Sequence, residues 1–252
     1  MEVEVLEKVT VRYLERPKIK VPVLVCGMPD TGHVGRLAPD YLRSALKAKL
    51  VADFYSEYFP AQLRINKEGV AELLKGQLFW SRGDGNNMLI FTGDAQPATP
   101  EGQHVISEKI LAVAQELGVQ KVFTLGAFIT GMPVTIPRVF GTATTLELLK
   151  TLEAKGVKTM TEGNITGMNG LLFGLAQIKG MEGIGLYGET SGFALDAEAA
   201  KAILVALADI LDLSLDYSAM KQDEQPNGVE EREPFKPETK EESQKKVREY
   251  IT

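Results

Sequence analysis

Hydrophobic and polar positions follow two periodicities along this chain and predict alternating strands and helices. Residues 21–27 (VPVLVCG) form a continuous apolar run of strand length, typical of a strand buried on both faces. After the turn MPDTGH, apolar residues recur at helical spacing over 34–50. The predicted helix buries Leu37, Tyr41, Leu42, Ala45 and Leu46, places Pro39 in its first turns, and directs Arg36, Arg43, Lys47 and Lys49 outward.

The rest of the chain continues this alternation as far as about residue 216. Short β-rich stretches at 50–59, 61–66, 69–74 and 77–82 indicate an antiparallel meander, which is followed by a surface turn over 83–87. Strand 88–93, helix 101–117 and strand 121–128 indicate a right-handed parallel crossover. We further predict strands at 139–144, 157–160 and 183–190 and helices at 144–155, 168–178 and 196–211, the last capped by Asp196. The pattern predicts an α/β fold, a central mixed sheet with helices on both faces.

Composition divides the chain into a core at 1–217 and a tail at 218–252. The whole chain of 252 residues is 44% hydrophobic, enough for a large core, and length alone favours one domain. The tail carries roughly one charge in every two residues and few large apolar side chains, so we predict that it is mobile. Its end holds a small apolar patch, Val247, Tyr250 and Ile251 followed by Thr252, which is either an anchor for a partner's pocket or a frayed terminus.

Charge and cysteine content exclude several classes of partner and site. A formal net charge of -6 gives no attraction to nucleic-acid phosphates or anionic lipid, so we expect neither nucleic acid nor a membrane as partner. The first residues are too charged for a secretory signal, which predicts a cytoplasmic protein. Cys26 is the single cysteine, so an internal disulfide and a cysteine zinc cluster are excluded, and its place in an apolar strand predicts an inert core thiol.

The glycine-rich loop between the first buried strand and its helix is a candidate ligand loop, comprising Gly27, Asp30, Gly32, His33 and Gly35. Backbone N–H groups at a helix N-terminus can hold a phosphate. A Walker loop would need Lys and Ser or Thr at His33 and Val34, and Asp30 stands where the dinucleotide fingerprint has its first glycine. We therefore favour glycines that allow close packing of helix on sheet, with an anion or small-ligand site as the alternative.

Two further acidic residues follow predicted strands: Asp94 in TGDAQP and Glu189 in GETSG. Because loops at the carboxyl ends of parallel strands line a shared crevice, Asp30, Asp94 and Glu189 are candidates to converge there. The enzyme hypothesis is a hydrolase or phosphorylase acting on a small nucleoside-like ligand with these acids and His33. GETSG is not the G-x-S-x-G nucleophile elbow, and His33 and His104 are far apart in sequence, so we expect no metal site, no cofactor and no catalytic residue.

Six motifs, in order and spacing, carry a resemblance to a known family. They are GMPDTGHVGRLAPDYL, FTGDAQP, VFTLGAF, NITGMNGLLFG, GLYGETSGFALDAEAAKAIL and LDLSLDYS. Over about residues 21–216 the chain resembles the archaeal and bacterial family related to the eukaryotic proteasome assembly chaperones. The resemblance implies a three-layer α/β core similar to nucleoside phosphorylases and related hydrolases, no established catalytic activity, and a closed homo-oligomer such as a tetramer or pentamer.

The resemblance also implies a protein-handling role at the proteasome. Archaeal members are viewed as assembly chaperones or ATP-independent activators of the 20S proteasome, and their tails end in a hydrophobic-tyrosine-any pattern that enters pockets of the α-ring. Here Tyr250 is third from the end rather than penultimate, a displacement of about 3.3 Å in extended chain. We expect a non-enzymatic scaffold that contacts the proteasome α-ring through its tails, or through a related co-chaperone subunit.

Overall fold

The structure is a computed structural model that describes residues 8–16, 23–82, 87–218 and 220. In these ranges the strands are β1 (Val9–Tyr13), β2 (Val23–Cys26), β3 (Lys49–Ser56), β4 (Leu63–Ile65), β5 (Ala71–Leu73), β6 (Gly76–Arg82), β7 (Asn87–Gly93), β8 (Lys121–Ile129), β9 (Val139–Ala143), β10 (Lys158–Thr159) and β11 (Glu182–Thr190). The helices are α1 (Val34–Ala45), α2 (Pro100–Glu116), α3 (Leu146–Ala154), α4 (Met168–Ile178) and α5 (Ala197–Leu211).

Nine of these strands form one mixed sheet in the order β1-β3-β6-β7-β2-β8-β11-β9-β10. The central strands β7, β2, β8 and β11 run parallel, as predicted for the segment containing α2. The flanking pairs β1–β3, β3–β6, β6–β7 and β11–β9 are antiparallel. The carboxyl ends of the four central strands therefore meet at one edge of the sheet.

Helices cover both faces of this sheet and give the predicted three layers. Side chains alternate along β2, so Leu24 and Cys26 pack into the core under α2 and α4, whereas Val25 packs into the core under α1, α3 and α5. β2 is buried on both faces, which explains why its sequence is continuously apolar. Asp196 caps α5 by accepting a hydrogen bond from the Ala199 amide at 2.9 Å, as predicted.

The first helix is shorter than its periodicity predicts. α1 ends at Ala45, because Lys47 takes a left-handed conformation and the chain enters β3 at Lys49. Ala45 is consequently exposed rather than buried. Arg36 does not face outward as predicted; its side chain is 15% exposed and pairs with acidic neighbours, described below.

The predicted antiparallel meander is wrong in its pairing. β3 pairs directly with β6, and the two strands between them form a separate hairpin, β4–β5. Arg64 faces Glu72 across that hairpin and forms an ion pair with it at 2.9 Å. The hairpin's other face carries Leu63, Ile65 and Leu73, which are 57–61% exposed.

Other differences lie at segment ends. Strand β1, which the pattern did not predict, pairs with β3 along the edge of the sheet. Asn87, predicted as part of a surface turn, is the first residue of β7, and residues 83–86 lie outside the described residues. Of the predicted tail, only Ser218 and Met220 are described, so its partner-binding residues Val247, Tyr250, Ile251 and Thr252 remain predictions.

Candidate functional site

The glycine loop after β2 is built for close packing at the carboxyl edge of the sheet. A Cβ atom on Gly27 would overlap the carbonyl oxygen of Gly35, and one on Gly35 would lie 2.6 Å from Asn169 Nδ2. The loop then makes one 3-10 turn, Thr31–His33, with Gly32 at φ 71° and His33 at φ 54°. Gly27 therefore permits contact between two backbone segments, and Gly35 leaves room for the Asn169 side chain and the Met28 carbonyl, as the packing interpretation predicts.

Asp30 binds backbone groups from two elements. Its Oδ1 accepts a hydrogen bond from the Gly35 amide at 2.8 Å, in the first turn of α1, and its Oδ2 accepts one from the Ala127 amide in β8 at 2.7 Å. Burial raises the pKa of Asp30 to about 6, against the opposing effect of these hydrogen bonds. Since the carboxylate already occupies the N-terminus of α1, an added phosphate there would meet a negative charge.

Asn169, in the first turn of α4, holds the same loop from the other side. Its Oδ1 accepts from the Met28 amide at 2.9 Å, and its Nδ2 donates to the Met28 carbonyl at 3.0 Å. Both residues are buried, so the side chain replaces water for two backbone groups at once. Nδ2 also lies 3.4 Å from Asp30 Oδ2, which links the two polar residues.

Gln96 and Tyr187 complete this polar framework. Gln96 donates to the Pro29 carbonyl at 2.8 Å and accepts from the Met168 amide at 2.9 Å, so it connects the loop after β7 with the loop after β2 and the start of α4. Tyr187 in β11 donates to the Asn169 carbonyl at 2.9 Å. Burial raises the pKa of the Tyr187 phenol, which keeps it a donor at neutral pH.

A cavity of about 410 Å³ opens beside this framework. Its described lining holds no serine, cysteine or histidine; its hydroxyl groups come from Thr31, Thr166 and Tyr187, and its carboxyl group from Asp30. Its polar groups suit hydrogen bonding to a small polar molecule, and its aromatic side chains suit packing against an apolar one. The lining includes Asp30, Gln96, Asn164, Asn169, Phe128 and Tyr187.

Asp94 does not join Asp30 in that cavity. Its Oδ1 accepts a hydrogen bond from Arg64 at 2.7 Å and lies 3.8 Å from Arg36 Nη2. Its Oδ2 accepts from the Lys75 backbone amide at 3.1 Å. The residue thus attaches the β4–β5 hairpin to the main body, and it is absent from the cavity lining.

Glu189 is likewise engaged elsewhere. Arg138 donates from Nε to its Oε2 at 2.8 Å and binds its other oxygen through Nη2, a bidentate pair. The hydrogen bond from Arg138 is the main cause that holds the pKa of Glu189 below its usual value. The expected convergence of Asp30, Asp94 and Glu189 is therefore not observed; each acid has its own partners, and only Asp30 lines the cavity.

His33 is the remaining candidate of the enzyme hypothesis, and Cys26 is the predicted inert core thiol. His33 has a half-buried ring whose Nδ1 finds no hydrogen-bond partner among the described residues, and burial lowers its pKa. Cys26 is fully buried, and burial raises the pKa of its thiol, as expected for an inert core cysteine. Within the described ranges, no group of three His, Cys, Asp or Glu side chains is placed to hold a metal ion.

Sequence reasoning missed the residues that hold the site together. Asn169, Gln96 and Tyr187 lie inside the motifs NITGMNGLLFG, FTGDAQP and GLYGET, but their partners are far away in sequence. Arg138 precedes β9 in a segment without any recognised motif. The sequence does show an amide or phenol side chain next to a glycine turn in these motifs. This signal does not identify the backbone group to which that side chain binds.

Comparisons with known proteins place this architecture in one group. The model of the PAC2 family matches residues 24–227. An uncharacterised protein of Methanocaldococcus jannaschii is 31% identical over 201 residues, covering 79% of this chain and 78% of that protein.

None of the helices in the described part of the chain is long and apolar enough to cross a membrane.

Solved structures with the same architecture include two from Pyrococcus furiosus. PbaB, described as an archaeal proteasome activator, is 32% identical, with 98% of each chain covered and a TM-score of 0.80. PbaA, described as an archaeal homologue of a proteasome-assembly chaperone, is 27% identical, with 83% of this chain and 85% of that one covered and a TM-score of 0.71.

Proposed function

This chain belongs to the PAC2 family, and we propose that it acts as a protein-binding partner of the proteasome, either as an assembly chaperone or as an ATP-independent activator. The observation that carries the proposal is the likeness to PbaB, which extends over 98% of both chains at 32% identity. The expected resemblance to proteasome assembly chaperone homologues is confirmed at the level of family. The role is one of binding, with the folded body as a scaffold.

The binding role is supported by the way the polar residues at the sheet edge are used. Asp30 and Asn169 form hydrogen bonds with backbone groups of the glycine loop and, for Asp30, also of β8. Glu189 forms an ion pair with Arg138. Groups committed in this way fix the shape of the body rather than act on a substrate. Among the acids that the enzyme hypothesis names, only Asp30 lines the cavity; Asp94 and Glu189 are paired elsewhere.

The proposed contact with the proteasome is made by the tail, residues 218–252. Val247, Tyr250 and Ile251 supply an apolar and aromatic anchor at the end of a highly charged segment. An anchor of this kind binds a pocket while the preceding residues act as a tether. Because Tyr250 is third from the end, contact through a related co-chaperone subunit is the alternative that the experiment below distinguishes.

We further propose that copies of the chain assemble into a closed homo-oligomer, which multiplies the number of tails. The β4–β5 hairpin supports this proposal because Leu63, Ile65 and Leu73 are 57–61% exposed on it, whereas Arg64 on its other face pairs with Asp94 of the body. Exposed contiguous apolar side chains mark association surfaces. Several weakly docking tails on one particle raise the apparent affinity through effective concentration.

A pull-down with 20S proteasome particles and with isolated α-subunits tests the proposal. Full-length chain is compared with a variant lacking residues 218–252, and the Asp30→Ala variant serves as the control for the cavity. We expect capture by the full-length chain and by Asp30→Ala, and loss of capture on tail deletion. Equal capture by both tail forms refutes the tail mechanism, and capture that requires a co-purifying second subunit supports the alternative route.

A further inference from the structure

A basic groove runs along the outer side of α5, away from the cavity described above. It encloses about 640 Å³ between α5, the α3–β10 connection and the segment that enters β9. Val205, which is 49% exposed, lies in it together with Val139 and Val157. Four basic side chains line the groove against two acidic ones: Arg138, Lys155, Lys158 and Lys201 against Glu198 and Asp209.

Part of this positive charge is not neutralised within the described chain. Arg138 is paired with Glu189 and Lys155 with Asp209 at 3.2 Å. Lys158 and Lys201 form no ion pair with any described residue, and Lys158 lies 5.2 Å from the Phe140 ring centroid. Lys158 is near enough to Glu189 to help lower the pKa of that carboxyl, but neither lysine is held in a close ion pair with a described residue. An apolar floor beside two ammonium groups that are free to bind a carboxylate suits an acidic segment that also carries apolar side chains.

The last described residues of the chain lie against α5, the helix that forms one wall of this groove. Asp212 takes a left-handed conformation that ends α5, and the chain then turns back along the helix. The Leu213 amide donates to the Ala208 carbonyl at 2.8 Å, and the Tyr217 hydroxyl lies 3.4 Å from the Leu204 carbonyl. Met220, the last described residue, therefore lies beside Leu204 in the middle of α5. A path from there to the groove around Val205 passes around one helix, which is about 10–12 Å in diameter.

The segment that comes next has the complementary composition. Residues 223–233 contain five acidic side chains against the single cation Arg232, whereas residues 236–252 mix five cations with four acids. Val229 lies within the acidic segment. Residues 221–229 span up to about 30 Å when extended, so the acidic segment reaches the groove from Met220 without strain.

We propose that residues 223–233 dock in the α5 groove of their own chain, with their carboxylates on Lys158 and Lys201 and Val229 against Val205. When residues 223–233 are docked, the final residues extend from Glu233 instead of from Met220. The maximum reach of Tyr250 therefore falls from about 100 Å to about 55 Å. Release of the segment would then lengthen the part of the tail that binds the proteasome, a consequence that rests on the proposed function. Salt weakens the docked state because the contact is electrostatic.

Disulfide trapping in the full-length chain tests the docking directly. The variant Val205→Cys/Val229→Cys places one thiol in the groove and one in the acidic segment, while the native Cys26 is buried and does not compete. The matched control is Ala45→Cys/Val229→Cys. Ala45 is exposed and lines a small depression with Tyr217 and Met220, so it lies next to the last described residue before the acidic segment. Oxidation rates and product masses are measured at low and high salt.

We expect the groove pair to form a bond within one chain about tenfold faster than the control pair at low salt, with the advantage lost in 0.5 M NaCl and on Lys158→Glu/Lys201→Glu. Circular dichroism confirms that each variant is folded. Equal rates for the two pairs, or a groove bond formed only between two copies, overturn the proposal. Because no proteasome is present in the assay, its outcome does not depend on whether the proposed function is correct.

Discussion

Replacement of Asn169 by alanine tests whether the polar framework at the sheet edge stabilises the fold. The substitution removes the acceptor for the Met28 amide at 2.9 Å and the donor for the Met28 carbonyl at 3.0 Å. Met28 is fully buried, so both backbone groups lose their partners where water does not easily replace them. Each unsatisfied group costs about 1–3 kcal/mol, so the two together predict a loss of about 2–6 kcal/mol in the free energy of unfolding.

Urea denaturation at one fixed protein concentration measures this loss, since association changes apparent stability. The control is Gln177→Ala on the same helix, which removes an exposed hydrogen bond to the Thr144 carbonyl at 3.1 Å. We expect less than about 1 kcal/mol for the control. If Asn169→Ala costs no more than Gln177→Ala, the reasoning that Asn169 holds the glycine loop is refuted.

Three further results are expected. Because burial raises the pKa of Asp30 to about 6, protonation of Asp30 stabilises the fold below about pH 4, and this stabilisation is lost as the pH rises through 6. Relative to Asp30→Asn, the free energy of unfolding of the native chain should fall by about 3 kcal/mol over that range. A difference between the two chains that does not change with pH contradicts the assignment. Arg64→Met breaks the pair with Asp94, so hydrogen exchange should accelerate in residues 63–73 more than in β7, and uniform acceleration argues against a local attachment. Cys26 should react with a maleimide only after denaturation, because it is fully buried; rapid labelling of the folded chain would contradict its position.

The fold was largely predictable because its strongest signals are local. Buried parallel strands are continuous apolar runs, and α2, α4 and α5 have the apolar stripes or caps of isolated helices. The errors arise where contacts between distant residues determine which strands pair. In sequence β4 and β5 have the pattern of strands of the main sheet, but in the fold they form a separate hairpin, in which Arg64 pairs with Glu72 and Asp94.

The candidate site was predicted less well, for a related physical reason. The sequence indicates that Gly27, Asp30 and Gly35 form a tight strand-to-helix turn, and they do. It does not indicate that Asn169, about 140 positions later, supplies the turn's missing hydrogen bonds. The helical pattern places Arg36 in solvent because the pattern contains no sign of the Asp94 loop, which packs against Arg36 in the folded chain. Long-range polar partners leave no periodic trace in a single sequence.

The most direct test of the central claim is equilibrium binding of the purified full-length chain to immobilised 20S proteasome. The comparison is with a variant lacking residues 247–252, and a free peptide of residues 243–252 serves as competitor. We predict saturable binding by the full-length chain, competition by the peptide, and loss of binding in the truncated variant. An intact, folded full-length chain that does not bind the particle, or that binds as well without its last six residues, would contradict the account.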